Sequence, residues 1–390
     1  MKTIAIDARY ISNEYSGIGT YSLNLIKGLA AAKTDFNFIV IVHKNFQGGL
    51  DLPSNFKLIK HSARPVSLTS VFFFDRFLER YKPDILHTLA PIVPIFGKRR
   101  LKIISSVYDL QPLQDPDFTW RKSKLLTLFY KQFYRCVYPA SMKRSDWIVS
   151  PSYATKRFIN KNVPSVSDKV IVIPMAVPQD INENISDETT NAIVNEFAIP
   201  KRFLLYVGST RPNKNLKAMV EAFGLFITRN IGFEDLQWVM IVKPDRFWDS
   251  VSAKIRELNL TERIHIHMQV SSLAKKVFFE RADLLYFVTK YEGFGLPVLE
   301  AQALRVPVLA STHASLPEVA GSAALLANPD SPEDICQKLE YFYNNDYVKE
   351  QLINDGIANV KRFTWDAVIK DHIDLYTILC SDSDDQNGRG

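Results

Sequence analysis

A pair of doubly wound α/β domains is the fold that this 390-residue sequence predicts. Short apolar strand candidates alternate with helical patterns from end to end, the sequence form of a parallel sheet covered by crossover helices. A polar, acidic stretch after Pro174 interrupts the alternation, which then starts again. At roughly 150 residues per domain the length admits two or three such units. A hydrophobic content of 46% is ordinary for packed globular chains.

Thr3–Ile6 reads as the first strand, Ala8–Gly19 as a loop and Thr20–Leu29 as a helix. Phe36–Val42, Ile85–His87 and Lys102–Val107 read as further strands, and Trp147–Val149 and Val170–Ile173 continue the series. The first domain is set at 1–178. Residues 179–200 open with Gln-Asp-Ile-Asn-Glu-Asn-Ile-Ser-Asp-Glu, a composition that suits a linker better than a core. A second domain, 201–363, is read from Phe203–Val207, Trp238–Val242, Ile264–His267, Leu284–Val288 and Val306–Leu309, each followed by a helical or loop segment. Within 364–380, Trp365–Leu379 forms a final amphipathic helix with Val368, Ile369, Ile373, Leu375 and Leu379 roughly on one side. The remainder, 381–390, is too polar to order itself.

Several function classes are set aside on composition. No stretch approaches the roughly 18 apolar residues that span a bilayer, and Thr3-Ile4-Ala5-Ile6 meets Asp7 too soon for a signal peptide. A cytosolic chain is expected. Cys136, Cys336 and Cys380 are far apart and odd in number, so they read as free thiols. The net charge of +6 is mild and lacks the density of a nucleic-acid binder. There is no G-x-x-x-x-G-K-[ST] phosphate loop and no H-E-x-x-H pair. His265 and His267 alternate on one strand without a nearby carboxylate, Asp115-Pro116-Asp117 falls in a loop, and Asp382-Ser383-Asp384 falls in the tail. No metal and no cofactor are expected. In open parallel sheets ligands sit outside the carboxyl ends of the strands, so the chemistry is sought in those loops and in the cleft that two facing domains would make.

The most informative segment is Tyr291-Glu292-Gly293-Phe294-Gly295-Leu296-Pro297-Val298-Leu299-Glu300-Ala301, directly after the strand ending near Val288. It resembles the E-x7-E signature of the family 4 glycosyltransferases, with Glu292 and Glu300 as its two acids. Gly293 and Gly295 let the backbone approach a ligand, and Pro297 suits the first turn of a helix, whose unpaired N–H groups would face a sugar diphosphate beside Phe294, Gly295 and Leu296. Glu292 is placed to accept hydrogen bonds from sugar hydroxyls and Glu300 from a ribose diol, in agreement with the roles that the resemblance implies.

A second segment, Tyr206-Val207-Gly208-Ser209-Thr210-Arg211-Pro212-Asn213-Lys214-Asn215, follows the first strand of the second half and precedes a helix. In the family an Arg and a Lys of this loop neutralise the diphosphate. Lys214 stands where the family has its lysine, whereas the family arginine often follows the glycine directly, where this chain has Ser209, so Arg211 would act from a shifted position. Leu304-Arg305-Val306 and Ser315-Leu316-Pro317-Glu318-Val319-Ala320-Gly321 resemble the floor of the nucleotide pocket, with Arg305 where family members usually carry Gly. In the first half, Gly17-Ile18-Gly19 resembles the amino-terminal glycine loop. Tyr108-Asp109 stands where many members have His-Asp, a histidine thought to touch the sugar near its C6 hydroxyl.

The resemblance implies the GT-B fold, with two Rossmann-like domains and a C-terminal helix crossing back to the first. It also implies a retaining, metal-independent transfer from a nucleotide sugar to a glycan or lipid-linked acceptor, as in bacterial mannosyltransferases of polysaccharide and lipopolysaccharide assembly. GDP-mannose is the first donor to consider and dTDP-rhamnose the alternative. A nucleotide-sugar epimerase and a nucleotide-sugar-binding protein without activity stay open on the same fold. Finally, residues 121–144 interleave Arg121, Lys122, Lys124, Lys131, Arg135, Lys143 and Arg144 with Phe129, Tyr130, Phe133 and Tyr134. Such a helix suits peripheral contact with an anionic membrane on its inner face, or plain packing.

Overall fold

The computed structural model describes residues 1–11, 17–96, 101–114, 123–243, 245–268 and 270–387, with 114, 180, 182 and 382–387 described as backbone alone. The chain separates into two compact units, Met1–Ala176 with Trp365–Gly390, and Val177–Thr364. Asp115-Pro116-Asp117, Arg121 and Lys122 lie outside the described residues.

The first unit is built on β1 (Thr3–Asp7), β2 (Asn37–His43), β3 (Phe56–His61), β4 (Ile85–Thr88), β5 (Lys102–Ser106), β6 (Trp147–Ser150) and β7 (Val170–Val172). They form one sheet in the order β3-β2-β1-β4-β5-β6-β7, with every pairing parallel. Because side chains alternate along a strand, one face carries Ala5, Ile39, Ile41, Leu86 and Ile103, which Phe74 and Leu78 cover. On the other face Phe38 meets Tyr376 at 6.3 Å between ring centroids, and Tyr21 of the helix Gly17–Ala31 meets Trp365 at 5.4 Å. The helix Trp365–Asn387 thus completes the first core from the far end of the chain. Its backbone stays helical past Cys380, where the sequence pattern ends it, since extending a formed helix adds a hydrogen bond for each residue fixed.

The second unit uses β8 (Phe203–Ser209), β9 (Gln237–Lys243), β10 (Ile264–His267), β11 (Leu284–Phe287), β12 (Val308–Ser311) and β13 (Leu325–Ala327). They pair in parallel in the order β10-β9-β8-β11-β12-β13. Trp238, Tyr206, Tyr286, Phe278 and Phe287 are fully buried here. The stretch 179–200, linker-like in composition, is instead part of this unit: it holds the helix Asp187–Glu196, capped where Ser186 Oγ accepts from Thr189 N. Ile193 is that helix's buried residue, so its amphipathic signal is faint.

Strands β3 and β13 escape the sequence reading. In Phe-Lys-Leu-Ile-Lys-His the lysines interrupt the apolar run of an edge strand, and Leu325–Ala327 is too short to register as a pattern.

Candidate active site

In both sheets the chain winds outward in two directions from a central pair of strands, β1/β4 and β8/β11, and the loops leaving their carboxyl ends flank an opening there. In the second unit those two loops are the segments singled out by sequence. After β8 the chain enters a short turn, Pro212–Lys214, and reverses at Asn215, which has φ +62° and starts the helix Leu216–Arg229. Asparagine tolerates this left-handed conformation because its short polar side chain bonds locally. Here Asn215 is buried, and its Nδ2 donates to Val288 O at 3.1 Å and Pro329 O at 2.6 Å. Asn213 accepts Lys290 N at 2.8 Å on its carbonyl and donates Nδ2 to Tyr291 O at 3.0 Å. The loops after β8 and β11 are stapled together by these bonds.

The staple brings Lys214 onto Glu292, with Nζ donating to Oε1 at 2.5 Å in a largely buried pair. Lys214 also sits 5.6 Å from the centroid of the buried Phe287 ring. An ammonium has three N–H donors, so one bond to Glu292 leaves capacity for phosphate oxygens. Burial is the main reason that the Tyr206 phenol is held well above its ordinary pKa, with the negative charges of Glu292 and Asp245 adding to it. The loop after β9 is tied in as well: Thr210 Oγ1 donates to Asp245 Oδ1 at 2.6 Å.

Gly295 precedes the helix Leu296–Ala303 at φ +108°, and a Cβ there would lie 2.5 Å from Leu316 Cδ2. The site therefore requires glycine twice over, for conformation and for close approach. Ser315 fixes the loop from below: its hydroxyl lies 2.9 Å from Glu292 O and 2.7 Å from Phe294 O, its proton shared between the carbonyls. Of the first turn of Leu296–Ala303, Pro297 has no N–H and Val298 N donates to Gly295 O at 2.9 Å, so Leu296 is the position whose amide this positive dipole end can offer an anion. One turn further in, Glu300 is buried and accepts from Lys275 Nζ at 2.8 Å.

The sequence-selected residues of this unit divide by what the structure does with them. Lys214, Glu292, Gly295, Leu296 and Glu300 fall in or directly after the paired loops. Arg211 starts the turn Pro212–Lys214 and is exposed. The Phe294 ring is buried and packs edge-on against Phe363 at 5.7 Å. Gly208 has an internal reason to be glycine, since a Cβ would lie 2.5 Å from the Tyr206 hydroxyl, which donates to Ser209 O. Lys275 and Asp245 escape the sequence reading, while Asn213, Asn215 and Ser315 stand inside its segments without a role of their own; a polar residue opening a helix at Asn215 is the one local signal.

Gly17, Gly19 and Tyr108 belong to the other unit. Gly17 opens the helix Gly17–Ala31 with open space where a Cβ would stand, and Gly19 is buried. Tyr108 packs edge-on to Tyr21 at 5.7 Å. Its hydroxyl is turned away from solvent and makes no hydrogen bond, although Ser106 and Ser22 are near: the Ser22 hydroxyl donates to Ile18 O, and Ser106 Oγ pairs with His87 Nε2. Burial raises the Tyr108 phenol far above its ordinary pKa. Before the glycines, Arg9 and Asp7 form a buried two-point ion pair, and Arg9 stacks 4.0 Å over Phe74. Among the described residues no three His, Cys, Asp or Glu side chains gather as metal ligands would.

Residues 187–359 match the model for glycosyl transferases group 1, and residues 15–180 match the model for Glycosyltransferase Family 4. The chain belongs to the family 4 glycosyltransferases. Among curated relatives of this glycosyltransferase, the O-antigen chain mannosyltransferase B of Escherichia coli is 26% identical over 215 residues, 55% of each chain. The chain spans about half the length of that relative. The sucrose-phosphate synthase of Thermosynechococcus elongatus superposes with a TM-score of 0.74 at 17% identity, over 98% of this chain and 100% of that one. WaaG, a glycosyltransferase involved in lipopolysaccharide biosynthesis, superposes with a TM-score of 0.71 at 14% identity, over 95% of this chain and 99% of that one. The fold of this family 4 chain is GT-B.

Proposed function

We propose that the chain is a retaining, metal-independent hexosyltransferase that moves mannose from GDP-mannose to a glycan or lipid-linked acceptor. The observation that carries this reading is the contact of Lys214 with Glu292 at the β8/β11 switch point, beside the opening turn of Leu296–Ala303. Charge builds on the diphosphate as the sugar leaves, so a cation and a helix N-terminus stabilise that state more than they stabilise the neutral sugar. Glu292 then accepts from sugar hydroxyls, while Glu300, oriented by Lys275, accepts from the ribose diol. A departing phosphate oxygen on the same face takes the acceptor's proton, and the acceptor oxygen bonds the anomeric carbon from that face, which keeps the donor's α configuration. No protein nucleophile enters. The mannosyl donor is favoured by the name of the Escherichia coli relative.

A second donor is favoured by one observation. The Tyr108 hydroxyl is buried, so the ring and not the phenol is what this side chain has to offer where the resemblance puts the sugar's C6. An aromatic ring suits a C6 methyl, hence dTDP-rhamnose, better than it suits a hydroxyl. Sites that bond a hydroxyl discriminate against its absence by roughly four to five orders of magnitude, so the two donors separate cleanly.

Incubation with GDP-mannose, dTDP-rhamnose, UDP-glucose and UDP-N-acetylglucosamine, with and without acceptor extracts, tests the reading. Transfer or slow hydrolysis of GDP-mannose is expected. Preference for a UDP-sugar would remove the donor assignment, conversion without acceptor would make the chain an epimerase, and binding without turnover would make it a silent binder. The proposed place of action is the inner face of a membrane, where lipid-linked acceptors are presented.

A further inference from the structure

The first unit carries apolar side chains in water where a globular surface would not hold them. Phe72 and Phe96 stack at 4.9 Å with their planes 6° apart, and Phe96 is 69% exposed. Phe73 stands beside them, also exposed. On the helix Lys124–Arg144, Leu125 and Leu128 are 80% and 64% exposed, and Phe129 is exposed as well. The inner face of that helix, Phe133, Tyr134, Tyr138 and Met142, is buried, so the outer leucines are surplus to its packing.

Topology puts both groups at one end of the sheet. Phe72 and Phe73 follow β3, Phe96 follows β4, and the helix from Lys124 follows β5, so all leave the carboxyl edge of the first sheet. Ile95 N donates to Val71 O at 3.1 Å, which joins the first two connections. Val71, Ile92 and Phe133 share one buried cluster, with Ile95 and Tyr130 packed on it. The exposed side chains rim that cluster from both sides.

Charge selects the occupant. From Ser123 to Ser145 the sequence has no Asp or Glu, and the exposed Lys124, Lys131 and Arg135 lie among the apolar residues. Beside Phe73, Asp75 and Glu79 are matched by Arg76 and Arg80. A surface that is aromatic and leucine-rich, cationic and acid-poor complements an anionic bilayer interface, where aromatic rings sit at headgroup level.

We infer that Phe72, Phe73 and Phe96 together with Leu125, Leu128 and Phe129 form a two-part anchor that seats the carboxyl edge of the first sheet on an anionic lipid surface. The inference rests on the lipid-linked acceptor reading and extends it, because the aromatic part lies outside the basic helix altogether. Each part supplies buried apolar area, and the lysines and arginine add a screened attraction.

Flotation of the purified full chain with phosphatidylcholine vesicles, with and without phosphatidylglycerol, tests it. The chain should float with the anionic vesicles and release as salt rises. Phe72→Ser with Phe96→Ser, and separately Leu125→Ser with Leu128→Ser, should each weaken partitioning by about tenfold. Donor hydrolysis without vesicles should be unchanged in both, since none of these residues is placed at the donor site. No flotation at low salt overturns the inference, as does equal flotation of the aromatic variant. A vesicle-free dimer abolished by the same substitutions also overturns it, because the surface would then be an interface between copies. If hydrolysis fails while anionic flotation persists and responds to both variants, the anchor stands and the transferase reading falls.

Discussion

Lys214 and Glu292 each make sense only in the company of the other. Side by side, a largely buried ammonium and carboxylate satisfy one another, and in the function proposed above the same two groups take opposite parts of a sugar nucleotide, phosphate and hydroxyl. Lys214→Ala should lower kcat on the order of a hundredfold with the fold retained, since the charge it answers develops only as the bond breaks. Glu292→Ala should lose a similar factor, expressed in sugar selection, and Glu300→Ala should raise the Kd for nucleotide most. Calorimetric titration with nucleotide and steady-state kinetics separate these patterns, and wild-type turnover in the acid variants would end the assignment. Arg211→Ala should cost less than Lys214→Ala, because an exposed cation is screened; an unchanged rate would make Arg211 a bystander.

The ends of elements explain a departure that motif comparison alone leaves unexplained. The helix Leu296–Ala303 closes with Val306 N donating to Ala301 O at 2.8 Å and Arg305 N to Gln302 O at 3.2 Å, the double bond of a Schellman cap. Arg305 occupies its left-handed position at φ +62°. Family members usually carry glycine there, and the geometry supplies the reason. Arg305→Gly should therefore raise stability by about 1 kcal/mol, read as a higher urea midpoint with unchanged slope. A lower midpoint would mean that the arginine's contacts outweigh its backbone strain. This cap also marks what is legible in the sequence. Glu292, Gly295 and Glu300 share one short segment, so local spacing reveals them. Ser315, Lys275 and the Asn215 bonds join segments that meet only through the parallel sheet, and no local pattern encodes such meetings. Edge strands β3 and β13 go unseen for a related reason: being half exposed or very short, they lack the continuous apolar run that buried strands such as β8 display.

At the scale of the molecule, the chain leaves the first unit at Ala176 and returns to it at Trp365, so the first core is finished by its last helix. That closure is titratable. His372 on this helix is fully buried and stacks on His87 of β4 at 5.4 Å, and the Tyr376 hydroxyl lies 2.8 Å from His87 Nδ1. Burial lowers the His372 pKa to about 4, partly opposed by its bond to Val368 O, and burial beside His372 lowers His87 well below its ordinary value. Both rings are thus neutral when folded, whereas the unfolded chain protonates them near an ordinary pKa of about 6.5. Above that value neither state gains a proton, and stability is level with pH. As pH falls below it, the unfolded state binds protons that the folded state refuses, so stability declines until His372 itself titrates near 4. His372 alone should remove about 2 kcal/mol between pH 7 and pH 5, and His87 should add to that. Urea unfolding of the full chain at the two pH values measures the loss. In His372→Gln, where an uncharged amide replaces one titrating ring, the loss should shrink by that amount while His87 maintains the remainder. An identical pH 7 to pH 5 loss in wild type and variant would place the acid sensitivity elsewhere than in the helix that closes the first unit.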